Sequence, residues 1–105
     1  MAVRTHTRKK VEMLVERPLL KRVLEVVKTS GARRYTVLPA LEGRGLDGAW
    51  QDGQPVDAQH MVQVVVLTNE AKADAILEGM GALLETWPGV VCASDIQVLR
   101  PERFT

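Results

Sequence analysis

The residues best suited to chemistry lie in a glycine-rich stretch, residues 42–57, which holds four glycines and no run of apolar residues. Gly43 and Gly45 flank Arg44 at its start. Glycines allow backbone N–H groups to converge on an oxygen-rich ligand. The guanidinium group of Arg44 is a planar fork that matches phosphate or carboxylate. The pattern predicts a site for a small anionic molecule.

The other polar residues favour anion binding over catalysis or metal binding. Arg100 and Arg103 follow the last apolar segment and are two further candidates for binding an anion. No nucleophile and histidine base can be paired from their spacing, so we expect no enzymatic activity. His6 and His60 are too isolated to form a metal site, because metal ligands come in clusters with set spacing. We therefore expect no metal and no resident cofactor, and we expect Cys92 to be a small buried hydrophobe.

Hydrophobic periodicity predicts four strands and two helices. Met1–Lys10 is polar and is predicted to be a frayed leader. Pro39 cannot donate to a sheet ladder, so the second strand should be an edge strand. The third strand is apolar on both faces and should be central. The predicted strands are Lys10–Val15, Arg34–Leu41, His60–Thr68 and Val90–Leu99, and the predicted helices are Pro18–Ser30 and the segment from the N-cap Asn69 to the turn Thr86–Gly89.

Two features of the second helix need an explanation. Gly79 and Gly81 each cost about 1 kcal/mol relative to alanine, so both positions should require a close approach by a neighbouring element. Trp87 precedes Pro88 and is predicted to cover the end of the helix over the core.

The order of elements is βαβ, the glycine-rich stretch, and βαβ. This order predicts an α+β, ferredoxin-like βαββαβ domain with a four-stranded antiparallel sheet, two helices on one face and a long loop between strands two and three. The other face stays bare, yet Met61 and Val65 of the third strand are apolar there. Contiguous bare apolar area marks an interface. We therefore expect a homo-oligomer, most simply a ring of three.

Composition sets the class of protein. A chain of 105 residues is one domain. A net charge of +1 gives no bulk attraction to nucleic acid. One cysteine cannot form an internal disulfide, which fits a reducing cytoplasm, and we see no membrane span and no signal peptide.

The whole chain resembles the PII signalling superfamily. The resemblance rests on the βαβ–arm–βαβ order, the exit from strand two (TVLPALEGRG) and the ending SDIQVLRPERF. The closing RPERF and the short link before strand four are most similar to the PII-like, carboxysome-associated branch. Members are trimers that bind adenine nucleotides in clefts between subunits, and their long arm reports the ligand to a protein partner.

The resemblance implies roles for particular residues. Thr36 stands at the position whose hydroxyl meets adenine, and Val66 at a backbone contact to the base. The start of the arm approaches the phosphates, and the arginines after strand four reach them from the neighbouring subunit. The short turn that ends in Gly89 stands where the family's phosphate-cradling loop lies. The implied nucleotide-binding residues are Thr36, Gly43, Arg44, Gly45, Val66, Gly89, Arg100 and Arg103.

The resemblance therefore implies a non-enzymatic regulatory protein for ADP or AMP, with bicarbonate as a second ligand in carbon and energy sensing. Loop 42–58 would signal to an unknown target such as a bicarbonate transporter or a carboxysome component. Two alternatives stay open. One is a trimeric metal-tolerance protein with His60, Met61 and Cys92 as soft ligands. The other is a small enzyme whose site forms only in the trimer.

Overall fold

The computed structural model describes residues 3–45, 48–51 and 60–105, and the side chains of 46–59 lie outside this description. The described elements are, in chain order, β1 (His6–Glu16), a 3-10 helix (Arg17–Leu19), α1 (Leu20–Ser30), β2 (Thr36–Ala40), β3 (Glu42–Gly45), β4 (Gly48–Gln51), β5 (Met61–Thr68), α2 (Glu70–Leu83), β6 (Gly89–Val98) and a 3-10 helix (Pro101–Arg103). Among the described residues, neither α-helix is long and apolar enough to cross a membrane.

The four long strands form one antiparallel sheet in the order β2-β5-β1-β6. The predicted βαββαβ architecture is confirmed, with β2 at an edge and β5 in the interior. Pro39 lies in the edge strand. Proline is tolerated there because an edge strand pairs on one side only, so the missing N–H removes few hydrogen bonds from the sheet.

The core lies between the sheet and the two helices. Strand residues alternate between the two faces, so every second residue of β5 and of the carboxyl half of β1, from Val11 to Val15, is buried under the helices. Each large apolar side chain that is fully buried contributes about 1.5–3 kcal/mol to folding. The core residues are Val11, Met13, Val15, Leu19, Val23, Val27, Val62, Val64, Val66, Ala73, Ile76 and Met80.

Local signals set the bounds of both helices. Pro18 lies in the 3-10 turn that leads into α1, and Gly31 ends α1 with a φ of 87°. Only glycine adopts this left-handed conformation without strain. Asn69 caps α2, because its Oδ1 accepts a hydrogen bond of 2.9 Å from the Lys72 N–H. The predicted stop and cap are confirmed.

The predicted leader is wrong for residues 6–10, which belong to β1. All five pair with β6, and Lys9 and Lys10 also pair with β5; Lys9, for example, lies opposite Thr68 of β5 and Asp95 of β6. Lys9 Nζ lies 2.5 Å from Asp95 Oδ1. Charged side chains are therefore tolerated along this end of β1, and the polar composition hid the strand.

The predicted arm is not wholly a loop. Glu42–Gly45 and Gly48–Gln51 pair as a two-stranded antiparallel hairpin. Glycines are depleted in strands and carry no side chain to pack, so no local pattern predicts a strand here. The rest of the predicted loop, residues 46–47 and 52–58, lies outside the described residues.

The face of the sheet opposite the helices is uncovered within the chain. Leu38 and Val90 are 43% and 59% exposed on it, and Met61 and Val65 are half-buried. Cys92 also lies on this face and is exposed, so the prediction that it is buried is wrong for the single chain. The position of β6 in the sequence was predicted correctly, but the side chain that this strand packs against the core is that of Val91, next to Cys92.

Close packing between the helices explains one of the two glycines in α2. A Cβ at Gly79 would lie 2.7 Å from Val26 Cγ1, whereas a Cβ at Gly81 would meet nothing within 4 Å. The expectation is confirmed for Gly79 and wrong for Gly81. Trp87 is 42% exposed rather than a core lid, and the Arg22 guanidinium lies 5.5 Å from its ring centroid.

Candidate functional site

A cavity of about 380 Å³ opens at the end of the sheet where β2 begins and β5 ends. Thr36 pairs with Val65, and alternation along β5 places Leu67 on the same open face. Two aromatic rings, two aliphatic side chains, a hydroxyl and a guanidinium thus surround one space. We call this space the aromatic cavity, and its lining residues are Arg34, Tyr35, Thr36, Val65, Leu67 and Phe104.

The carboxyl-terminal segment carries Phe104 to the aromatic cavity. β6 is the edge strand farthest from β2, so the chain must cross the end of the sheet after Val98. The 3-10 helix Pro101–Arg103 makes this crossing, and the Phe104 N–H donates to the Pro101 carbonyl at 3.1 Å. One short turn therefore places an aromatic residue from one edge beside Thr36 at the other.

A second cavity of about 340 Å³ adjoins the first and shares Arg34 with it. We call it the arginine cavity; its lining residues are Arg33, Arg34, Glu102 and Arg103. Among the described residues, no carboxylate lies within ion-pairing distance of any of the three arginines. Three guanidinium groups against one carboxylate make this cavity electropositive.

The two cavities suit different parts of one ligand. Aromatic rings and aliphatic side chains favour a flat, aromatic group, and Thr36 adds a hydrogen-bonding hydroxyl. Arginine forks match phosphate or carboxylate oxygens. Each volume is near the lower end of the roughly 300–1,000 Å³ of small-molecule sites. A ligand with a base at one end and phosphates at the other fits this chemistry.

Four of the predicted residues lie at this end of the sheet, and two of them line a cavity. Thr36 lines the aromatic cavity, and Arg103 lines the arginine cavity. Arg100 is exposed and lines neither cavity; its carbonyl accepts a hydrogen bond from the Arg103 N–H. Val66 has a fully buried side chain under the helices, and its neighbours Val65 and Leu67 line the cavity. The expected contact of Val66 with the base is through its backbone and stays a prediction.

The other predicted residues lie at the opposite end of the sheet. Gly43, Arg44 and Gly45 belong to β3, which follows the carboxyl end of β2. Gly89 begins β6 and pairs with Val15 near the carboxyl end of β1. The eight predicted residues therefore form two groups, and one chain does not bring the groups together.

Gly89 has a packing role that the sequence did not reveal. A Cβ there would lie 2.8 Å from Leu84 Cδ2, 3.0 Å from Val15 Cγ1 and 3.3 Å from the Leu14 carbonyl oxygen. A side chain here would displace Leu84 and press on Val15 and on the backbone of Leu14, so the start of β6 packs most closely against α2 and β1 with glycine at this position.

The alternative metal site is not supported. Among the described residues, no three His, Cys, Asp or Glu side chains could hold a metal ion. Met61 pairs with Glu16 and Cys92 with Glu12, on opposite sides of β1. Strand spacing and rise place them roughly 15 Å apart within the chain. Soft ligands at this separation cannot share one ion, so the metal-tolerance alternative is not favoured.

Seven cavity residues were not predicted as site residues: Arg33, Arg34, Tyr35, Val65, Leu67, Glu102 and Phe104. Arg33 and Arg34 are two adjacent basic residues that follow the helix stop Gly31 after one alanine, and Phe104 is the chain's only phenylalanine, in a polar tail. These were the available signals. Their meaning depends on the crossing of the carboxyl-terminal segment, which no local pattern predicts.

Comparisons with known proteins agree with the fold described above. The family described as "Nitrogen regulatory protein P-II" matches residues 8–103. The chain is similar to structures of CPII, a nitrogen regulatory PII-like protein of Thiomonas intermedia. One, bound to ADP, AMP and bicarbonate, has a TM-score of 0.87 and 26% identity over 98% of each chain. Another, bound to ADP and bicarbonate, has a TM-score of 0.85 and 28% identity over 99% of this chain and 100% of that one.

A third similar structure is a PII-like signalling protein from Thermus thermophilus, with a TM-score of 0.80 and 25% identity over 96% of this chain and 98% of that one. No curated protein matches the chain.

Proposed function

The chain belongs to the nitrogen regulatory protein P-II family, and we propose that it is a non-enzymatic regulatory protein that binds ADP or AMP in clefts between the subunits of a homotrimer. The observation that carries the proposal is the pair of adjoining cavities that share Arg34. One cavity suits a base and the other suits phosphate. Similar structures of CPII were solved with ADP, AMP and bicarbonate bound.

The separation of the predicted residues supports a site between subunits. Thr36 and Arg103 lie at one end of the sheet, whereas Arg44 and Gly89 lie at the other. A ligand that touches both groups needs two chains in a head-to-tail arrangement. Such an arrangement closes into a ring when its rotation permits, and three copies form the simplest ring that we expect. The uncovered apolar face of the sheet would be buried in the same ring.

The response to ligand would travel through the arm. The hairpin β3–β4 contains Arg44, so a nucleotide held by the neighbouring chain would contact the base of the arm. The shift between arm states can be only as large as the ligand's differential affinity for them. We propose that the arm reports nucleotide, with bicarbonate as a second ligand, to a protein target in carbon or energy sensing.

Calorimetric titration tests the proposal. The titrations use ADP, AMP, ATP and cyclic AMP, each with and without bicarbonate. We expect ADP and AMP to bind. Thr36→Val keeps the shape of the side chain but removes the hydroxyl, and should weaken binding about fivefold or more, as the loss of one hydrogen bond implies. Thr29→Val on α1 is the matched control and should bind normally. Flat heats with every nucleotide would contradict the proposal.

A further inference from the structure

We propose that Arg33 and Arg34 are phosphate-binding residues that act with Arg103, so that this chain selects a nucleotide by its phosphates within the arginine cavity. The inference rests on the proposed function and adds a residue pair to it. Neither arginine belongs to the set implied by the resemblance. Both line the arginine cavity, and Arg34 also lines the aromatic cavity, so it stands where base and phosphates would meet.

The backbone that holds the pair is ordered by specific contacts. Gly31 takes a φ of 87°, and its N–H donates to the Lys28 carbonyl at 3.1 Å. The Ser30 hydroxyl donates to the Val27 carbonyl at 2.5 Å and accepts from the Ala32 N–H at 3.1 Å. The link between α1 and β2 therefore leaves the helix in one direction, which delivers both arginines to the end of the sheet.

The charge balance of the cavity favours an anion. Arg33, Arg34 and Arg103 are all exposed, and Glu102 is the one carboxylate in the lining. Within the described part of the chain, none of the three guanidinium groups forms an ion pair. Like charges that converge on one space repel each other, and an anion with several oxygens would relieve this repulsion while accepting bidentate hydrogen bonds.

The first experiment compares ADP with adenosine by calorimetry in four proteins: the parent, Arg33→Ala, Arg34→Ala and the control Lys21→Ala, which removes an exposed charge from α1. We expect each arginine variant to weaken ADP binding about tenfold or more, as the loss of a charge-assisted hydrogen bond implies. Adenosine binding should change by less than about twofold. Arg34→Lys should recover only part of the ADP affinity, because lysine keeps the charge but lacks the fork.

Three outcomes separate the inference from the proposed function. Unchanged ADP binding in both alanine variants would overturn the inference while leaving nucleotide binding intact. Equal losses for ADP and adenosine would overturn it too, because the arginines would then act on the base. If the parent binds no nucleotide, the proposed function fails, and inorganic pyrophosphate becomes the probe. Binding of pyrophosphate that is lost in Arg33→Ala would still support the arginine cavity, and absence of binding would refute it.

Discussion

The contact between the two helices gives the sharpest prediction about stability. Gly79→Ala places a methyl group 2.7 Å from Val26 Cγ1, 3.6 Å from its Cγ2 and 3.7 Å from its Cβ. Carbon atoms in proteins prefer separations of about 3.5–4.0 Å, so the closest contact overlaps by roughly 1 Å. Val26 is β-branched and lies in a helix, where one rotamer dominates, so it cannot turn away at low cost.

Two effects of opposite sign follow from Gly79→Ala. Alanine gains about 1 kcal/mol over glycine in a helix, and overpacking costs about 1–3 kcal/mol. Gly81→Ala is a matched control in the same helix, because its new methyl group meets nothing within 4 Å. The gain in helix propensity cancels in the comparison. We therefore expect Gly79→Ala to be less stable than Gly81→Ala by about 1–3 kcal/mol.

Urea denaturation followed by circular dichroism measures this difference. All variants are compared at the same protein concentration, because the apparent stability of an oligomer depends on it. A Val26→Ala change in the Gly79→Ala background should recover part of the loss, with a coupling of about 1 kcal/mol. The reasoning is refuted if the two alanine variants have the same free energy of unfolding within about 0.5 kcal/mol.

Two further predictions concern β6. Gly89→Ala forces a contact of 2.8 Å with Leu84 Cδ2 and should lower the free energy of unfolding by about 1–3 kcal/mol in the same denaturation assay; an equal or higher value would contradict the packing described. The hydrogen bond to Asp95 raises the pKa of Lys9 above 10.5, so the pair stabilises the fold fully below pH 10.5, and this contribution is lost as the pH rises through the raised pKa. Asp95→Asn should therefore lower the melting temperature slightly near neutral pH. The difference in melting temperature between the parent and the variant should disappear in alkaline solution.

The fold could be read from the sequence because its signals are local and mutually consistent. The strand that is apolar on both faces at His60–Thr68, the stop at Gly31 and the cap at Asn69 each specify an element. The element order then restricts the topology to few choices. The polar amino end of β1 escaped prediction, since charged residues such as Lys9 are stabilised by a cross-strand partner that the sequence alone does not show.

The site could be predicted only in part. Thr36 and Arg103 were identified through the resemblance and line adjoining cavities, but Arg33 and Arg34 were not identified. Their importance arises when the carboxyl-terminal segment crosses the end of the sheet and brings Arg103 to them. Contacts between residues so far apart in the chain have no periodic signal, so only the folded chain reveals them.

We propose that each nucleotide site uses one end of the sheet from one subunit and the opposite end from its neighbour. Arg103→Ala removes a residue from the first half-site, and Arg44→Ala removes one from the second. We expect each variant alone to bind ADP weakly. When the two are co-expressed and assemble at random, about a quarter of the sites combine two intact halves, and these should bind ADP with parental affinity. Mixed assemblies without any parental-affinity sites, or a protein that stays monomeric, would show that the sites do not lie between subunits.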